Sequence, residues 1–295
     1  MQGCESFREA PQGMIWNDNS CAFDAFFTVL INIWKEMPCD ALESLTRGNT
    51  YFAFLIGSFT KVREGTQTWE QARDQTRTYL TSNTTGRRVF GFHRTRVAIT
   101  ELMETMLTLS SPVMCTTWKC SQCGTVVQQQ PSNSLIRNCS FSMWQELARE
   151  CDLSHVETWG HTQNWLDTSL IVKCQKTCRI CRKQIAQGKH EYIGVPKMLV
   201  LTLEDVPHAI ADPIIKIHAA GNGIQEFKLS GIIYFGREHF TARVVDKSQR
   251  IWYHDGLTTG RECLADGQLN EISHQDMWYK EGRKASAVIY SLTEE

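Results

Sequence analysis

Two short cysteine pairs, Cys120-Ser-Gln-Cys123 and Cys178-Arg-Ile-Cys181, restrict this chain more than any other feature. Each Cys-x-x-Cys turn puts two thiols on one side of a tight knuckle. Zinc takes four such soft ligands at about 2.3 Å in a tetrahedron. The pairs stand 54 residues apart, so a chain that uses them together must fold back and lay two remote knuckles side by side. Cys115 and Cys174 lie just outside the pairs, and either could replace a ligand, although the spacing favours Cys120, Cys123, Cys178 and Cys181. Neither pair sits at the strand-to-helix turn of a βαβ unit, which argues against a redox-active dithiol. Four thiolates leave no open position on the metal, so the zinc expected here is structural.

Twelve cysteines in 295 residues is too sparse for a small disulfide scaffold. The start, MQGCESFREA, carries charge where a secretory signal needs an apolar stretch, and no apolar run reaches the length of a membrane span. A cytoplasmic or nuclear, thiol-reducing setting is expected, in which paired cysteines read as metal ligands before disulfides. The charge balance, 31 − 32 = −1, argues against a general nucleic-acid or membrane-surface binder. Lys119, Lys173, Lys176, Arg179, Arg182 and Lys183 near the knuckles read as a solvated face.

No repeat, low-complexity segment or linker divides the chain, which predicts one interwoven unit with a central insertion. Phe23, Phe26, Phe27, Leu30 and Trp34 recur at helical spacing and predict a helix over 20–37, with Asn19 or Ser20 as N-cap and Pro38 ending it. Further helices are expected at 67–80, 97–109 and 142–151, while 51–57 reads only as a core segment. Strands are expected at 168–174, 197–204, 227–235, 239–246 and 250–255. Helices first and strands later predict an α+β fold.

Cys21 falls at the start of the first helix, where unpaired amides and the helix dipole favour a thiolate. The same amides can donate to an oxyanion beside the sulfur. A thiolate nucleophile needs an imidazole and a group that orients it. His239 opens one predicted strand and Asp255 closes the next, with Asp246-Lys247-Ser248-Gln249 as the turn. A turn centred near 247 pairs residues whose numbers sum to about 494, and 239 + 255 = 494, which makes His239 and Asp255 cross-strand neighbours. His254, the rival base, faces the other way.

Asn19-Ser20-Cys21 and its apolar helix resemble the Cys box of ubiquitin-specific proteases. His239-Phe240-Thr241-Ala242-Arg243-Val244-Val245, Trp252-Tyr253 and Asp255-Gly256 resemble their His box, and Pro196-Lys197-Met198-Leu199-Val200-Leu201 the strand before it. The two cysteine pairs are similar to the zinc-bearing fingers inserted between the boxes. The resemblance spans about residues 14–260. It implies a papain-like cysteine peptidase fold: a helical thumb with the Cys box (14–112), a zinc-finger insertion (113–185) and a β-rich palm with the His box (186–295), in a single domain over 1–295. It also implies hydrolysis after the C-terminal Gly of ubiquitin or a ubiquitin-like modifier such as SUMO. Cys21 is then the nucleophile, His239 the base and Asp255 the orienting residue.

The chain departs from that pattern in three places. The Asn common five residues before the nucleophile is Trp16 here, which leaves Asn17, Asn19 or Asp18 as oxyanion donor. The Gly-Gly common before the His is Arg237-Glu238, and the aromatic after the Cys is Ala22. The missing Asn motivates a second reading, a pseudoenzyme that binds ubiquitin or SUMO without cleaving it. Asp18-Asn19-Ser20-Cys21 is also similar to the first box of ovarian-tumour-type deubiquitinases.

Overall fold

The computed structural model describes residues 10–82, 90, 95–142, 145, 160–173, 177–183 and 187–293. Seven helices lie in these segments: α1 (Cys21–Glu36), α2 (Cys39–Gly48), α3 (Thr50–Arg63), α4 (Trp69–Leu80), α5 (Ile99–Leu107), α6 (Thr162–Ser169) and α7 (His274–Trp278). The longer strands are β1 (Met114–Lys119), β2 (Val126–Ser132), β3 (Gln187–Tyr192), β4 (Met198–Thr202), β5 (Ile214–Ala219), β6 (Gly223–Gly236), β7 (His239–Val245), β8 (Arg250–His254), β9 (Leu264–Gln268) and β10 (Arg283–Leu292). Among the described residues, no helix is long and apolar enough to cross a membrane.

The expected α+β order holds, with local corrections. Helices α2 and α3 were not expected. The run at 51–57 lies inside α3, where aromatic residues of modest helix propensity give little local signal and burial decides. Asn49 caps α3 by accepting from the Phe52 N–H at 2.9 Å, and its amide donates to the carbonyls of Thr105 and Thr108. The cap thus ties α3 to the end of α5. The strand expected over 168–174 is shorter, because Thr168 and Ser169 finish α6 and only Ile171–Lys173 is extended. The helix expected at 142–151 lies outside the described residues apart from Ser142 and Gln145, as do Cys4, Cys151 and Cys174.

The strands run in the order β9-β8-β7-β6-β5-β3-β1-β2. The fourteen-residue β6 serves two wings of this sheet. Its first half pairs with β5 and its second half with β7, while β10 runs along its other edge and pairs in turn with β4. Ile233, Ala242, Val244, Ala287 and Ile289 face a core shared with α1, α3 and α5. Ile232, Tyr234, Val288 and Tyr290 face a second core with Trp165 and Trp278. A sheet covered on both faces explains why these strands read as unbroken apolar runs.

Thirteen of the sixteen residues of α1 are buried, so this helix has almost no solvent face. It crosses the sheet where Gly231 removes a side chain. A Cβ there would stand 2.5 Å from Val29 Cγ1 and 3.0 Å from the Arg243 carbonyl oxygen.

The β7–β8 hairpin corrects the predicted register. Ala242 pairs with His254 and Val245 with Ile251, sums of 496 rather than 494. The loop is Lys247-Ser248-Gln249, with Gln249 at a φ of 60° and its N–H donating to the Asp246 carbonyl at 2.8 Å. The Asp246 carboxylate accepts from the Ser248 and Arg250 N–H groups and stabilises this tighter loop. A shift of two residues preserves which face each side chain takes.

Replacing Gly231 with Ala is expected to force α1 off the sheet and to lower stability by about 1–3 kcal/mol. Equilibrium urea unfolding against the wild type measures this, and an unchanged midpoint would refute the close contact.

Candidate active site

Cys21 is the first residue of α1, and the turn before it is unusual. Asp18 and Asn19 both have left-handed φ values, 50° and 57°, and the Ser20 N–H donates to the Asn17 carbonyl at 3.1 Å. This is a type I′ turn, which Asn and Asp tolerate best after Gly. Ser20 does not cap α1 with its side chain. Its hydroxyl accepts from the Asn17 N–H at 2.9 Å and donates to Asp24 Oδ2 at 2.5 Å. The first-turn amides beside the thiol therefore have no side-chain cap.

Helix α4, which opens with a capping box between Thr68 and Gln71, holds this turn from outside. Arg73 is fully buried and donates to the Ile15 carbonyl, to Ser20 Oγ and to Asp24 Oδ1 at 2.8 Å. Arg77 donates to the Asp18 carbonyl and stacks over the Phe23 ring. Burial pushes the Asp24 carboxyl above the ordinary carboxylate range, against the pull of the Arg73 guanidinium. Neither arginine stood out in the sequence. The only trace was their i, i+4 spacing in a helix expected on other grounds.

His239 is placed by an equally short turn. Gly236 pairs with His239, and Arg237 and Glu238 between them have φ values of 52° and 60°. His239 Nε2 lies 2.7 Å from Asp255 Oδ1, and the Cys21 side chain is close enough to the same ring to act on its protonation. The structure thus brings together Cys21, His239 and Asp255 despite the corrected register. The hydrogen bond to Asp255, then the nearby Cys21 thiol, raises the His239 pKa to about 9 against the effect of burial. Asp255 is buried, which by itself would raise its pKa. Hydrogen bonds from His239 and the Leu257 N–H, with the charges of His239 and Arg283, hold it below its ordinary value instead.

Cys21 and Asn19 line a cavity of about 590 Å³ with Arg96, Val97, Ile99, Glu204, Phe235, Glu238, Phe240 and Lys284. Arg96 and Glu238 form an ion pair of 2.5 Å at its exposed rim. Asn19 shares this space with the thiol, whereas Asn17 is exposed and its backbone closes the turn. His254 is 1 % exposed, accepts from the Met14 N–H and packs so tightly on Gly13 that a Cβ there would collide with the ring. It is a core residue of the β8 end.

The four knuckle cysteines converge despite the 54 residues between the pairs: all their sulfur atoms lie within 4.8 Å of one another. Cys120 Sγ is 3.4 Å from Cys181 Sγ, and Cys123 Sγ is 3.6 Å from Cys178 Sγ. Ligands at about 2.3 Å in a tetrahedron stand about 3.8 Å apart, so this donor set fits a metal ion such as zinc. The two knuckles are alike in backbone. The Gly124 N–H donates to the Cys120 carbonyl and the Arg182 N–H to the Cys178 carbonyl, both at 2.9 Å, and Gly124 and Arg182 both have left-handed φ. Cys115 lies outside the cluster, with its thiol near the Thr116 carbonyl.

No family model matches the chain, and no curated protein matches it in sequence. Solved structures do. They include the SAGA Ubp8/Sgf11/Sus1/Sgf73 DUB module bound to ubiquitin aldehyde, at 12 % identity, over 99 % of this chain and 72 % of that chain, with a TM-score of 0.53. A yeast SAGA DUB module with mutant Sgf73 matches at 12 % identity over 100 % of this chain and 71 % of that one, with a TM-score of 0.51. A SAGA DUB module bound to monoubiquitin matches at 12 % identity, over 100 % and 72 % of the two chains, with a TM-score of 0.50. The fold is thus the α+β, papain-like architecture of ubiquitin-specific proteases.

A histidine whose folded pKa is raised stabilises the fold fully below its unfolded value of 6.5. That contribution is lost as pH rises through about 9. NMR titration of the His239 ring is expected to show the raised value, and Asp255→Asn to return it towards 6.5. An ordinary titration in the wild type would contradict the geometry.

Proposed function

We propose that the protein is a thiol isopeptidase that cleaves after the C-terminal Gly of ubiquitin. The observation that carries this reading is the succession Cys21, His239 and Asp255, in which the Cys21 thiol opens on the cavity and His239 and Asp255 stand behind it. Folds similar to it belong to SAGA DUB modules, two of them bound to monoubiquitin or ubiquitin aldehyde. Cys21 acts as nucleophile, His239 as base and then acid, and Asp255 as the group that orients the ring. The dipole of α1 and the neighbouring imidazolium favour the thiolate. The thiolate attacks the carbonyl carbon of the terminal Gly, and the oxyanion is held by first-turn amides of α1 and the Asn19 side chain. His239 gives its proton to the leaving amine. It then takes one from water, which hydrolyses the thioester and frees the modifier.

Zinc at Cys120, Cys123, Cys178 and Cys181 serves structure in this reading and takes no part in the reaction. The division into thumb (14–112), zinc-bearing fingers (113–185) and palm (186–295) belongs to the same proposal.

Cys21→Ala is expected to reduce hydrolysis of a fluorogenic C-terminal amide of ubiquitin by at least ~10³-fold while leaving the circular dichroism spectrum and thermal midpoint intact. Full activity in that variant would end the proposal. Elemental analysis of the purified chain is expected to give one zinc per molecule, lost in a Cys120→Ser/Cys178→Ser variant with a lower thermal midpoint. Unchanged metal content in that variant would place the zinc elsewhere.

A further inference from the structure

Two buried polar atoms behind the His239 ring lack hydrogen-bond partners. One is Asp255 Oδ2, the oxygen of the carboxylate not used by His239; the other is Arg283 Nε. Arg283 Nη2 stands 3.8 Å from Asp255 Oδ2, with the Arg283 side chain only 13 % exposed. Arg283 opens β10, after a tight turn in which Glu281 and Gly282 have φ values of 50° and 73°. Gly236, the residue paired with His239, makes room for it. A Cβ on Gly236 would lie 3.1 Å from Arg283 Cα. The end of β10, the β6–β7 turn and the end of β8 therefore meet behind the imidazole.

We propose that Arg283 is a positioning residue of this site, its guanidinium fixing the back of the Asp255 carboxylate so that the front oxygen stays on His239. The proposal rests on the reading of Cys21, His239 and Asp255 as nucleophile, base and orienting acid. A carboxylate with one oxygen committed and the other buried bare has two escapes: it can rotate, or it can take up a proton. A cation within about 4 Å opposes both, and such a neighbour commonly lowers a carboxyl pKa by about 1–3. The charged and titratable groups around Asp255 are His239 in front, Arg283 behind, Glu281 and Tyr253 beside Arg283, and His254 in the adjoining strand position. Asp24 approaches from α1 across Gly256. Glu281 also pairs with Arg283, at 3.3 Å, but it lies half exposed at the rim and accepts from the Tyr253 hydroxyl. Arg283 is the cation among them that faces the free oxygen of Asp255.

The test reads the thiol directly. The full chain is treated with iodoacetamide between about pH 3.5 and 8, and carboxamidomethylation of Cys21 is followed by peptide mass spectrometry. Arg283→Gln is expected to move the acid limb of the Cys21 profile up by about one pH unit. Arg283→Lys is expected to restore most of it, and in an Asp255→Asn background Arg283→Gln is expected to add nothing. An unmoved limb in a folded Arg283→Gln variant, no rescue by lysine, or a full shift without Asp255 would each overturn the proposal. Should Arg283→Gln not fold, the Asp255 carboxyl is titrated by ¹³C NMR in the wild type and in Arg283→Lys. Values below the ordinary carboxylate range in both support it, and an ordinary value in the wild type overturns it. No modifier enters this assay. A failure here is therefore distinct from a failure of the isopeptidase reading, which the Cys21→Ala measurement decides.

Discussion

Everything near the cavity depends on α1 being buried on nearly every side. A helix with almost no solvent face has to satisfy its few polar side chains internally. Asp24, Thr28 and Asn32 are spaced four residues apart and so share one stripe of α1. Asp24 receives Arg73 from α4, Thr28 lies 3.4 Å from the His254 ring in β8, and Asn32 reaches the Val245 carbonyl in β7. One stripe thus fixes the rotation and height of the helix against both layers. Because Cys21 is its first residue, the thiol inherits that placement. The Arg73–Asp24 pair is itself buried, so removing Asp24 would leave the Arg73 guanidinium without that partner in the core.

The sheet makes the complementary contribution. Strand β6 pairs with β7, which carries His239, along one half and with β5 along the other, and the knuckle-bearing β3 and β1 join the sheet beyond β5. The strand β10 closes the other edge of β6 and delivers Arg283 behind Asp255.

Much of this was legible from residue types and spacing. The knuckles announced themselves because Cys-x-x-Cys geometry is local, and the tail after each pair folds identically whether Gly124 or Arg182 occupies the left-handed position. Cys21 was legible because apolar periodicity located the start of α1. The hairpin count misplaced the register by two residues, since a tight loop braced by the Asp246 carboxylate cannot be told from a longer one by polarity alone. The contact it anticipated survived because the error was even and the ring is long enough to reach diagonally. Arg73 and Arg283 were not legible. Each acts through a partner far away in the chain, and residues 281–295 carried no functional signal in the sequence. Asn17 and Asn19 could not be separated in sequence either; the type I′ turn separates them, sending one to solvent and the other into the cavity.

The two-residue turn between β6 and β7 has a kinetic side. With only Arg237 and Glu238 to span, His239 is joined to its neighbour strand by about the shortest loop a chain can make, and such closures are fast and entropically cheap. The imidazole is thus delivered by a local event in folding, and what must wait for the long-range collapse is the sulfur, which arrives only when α1 docks.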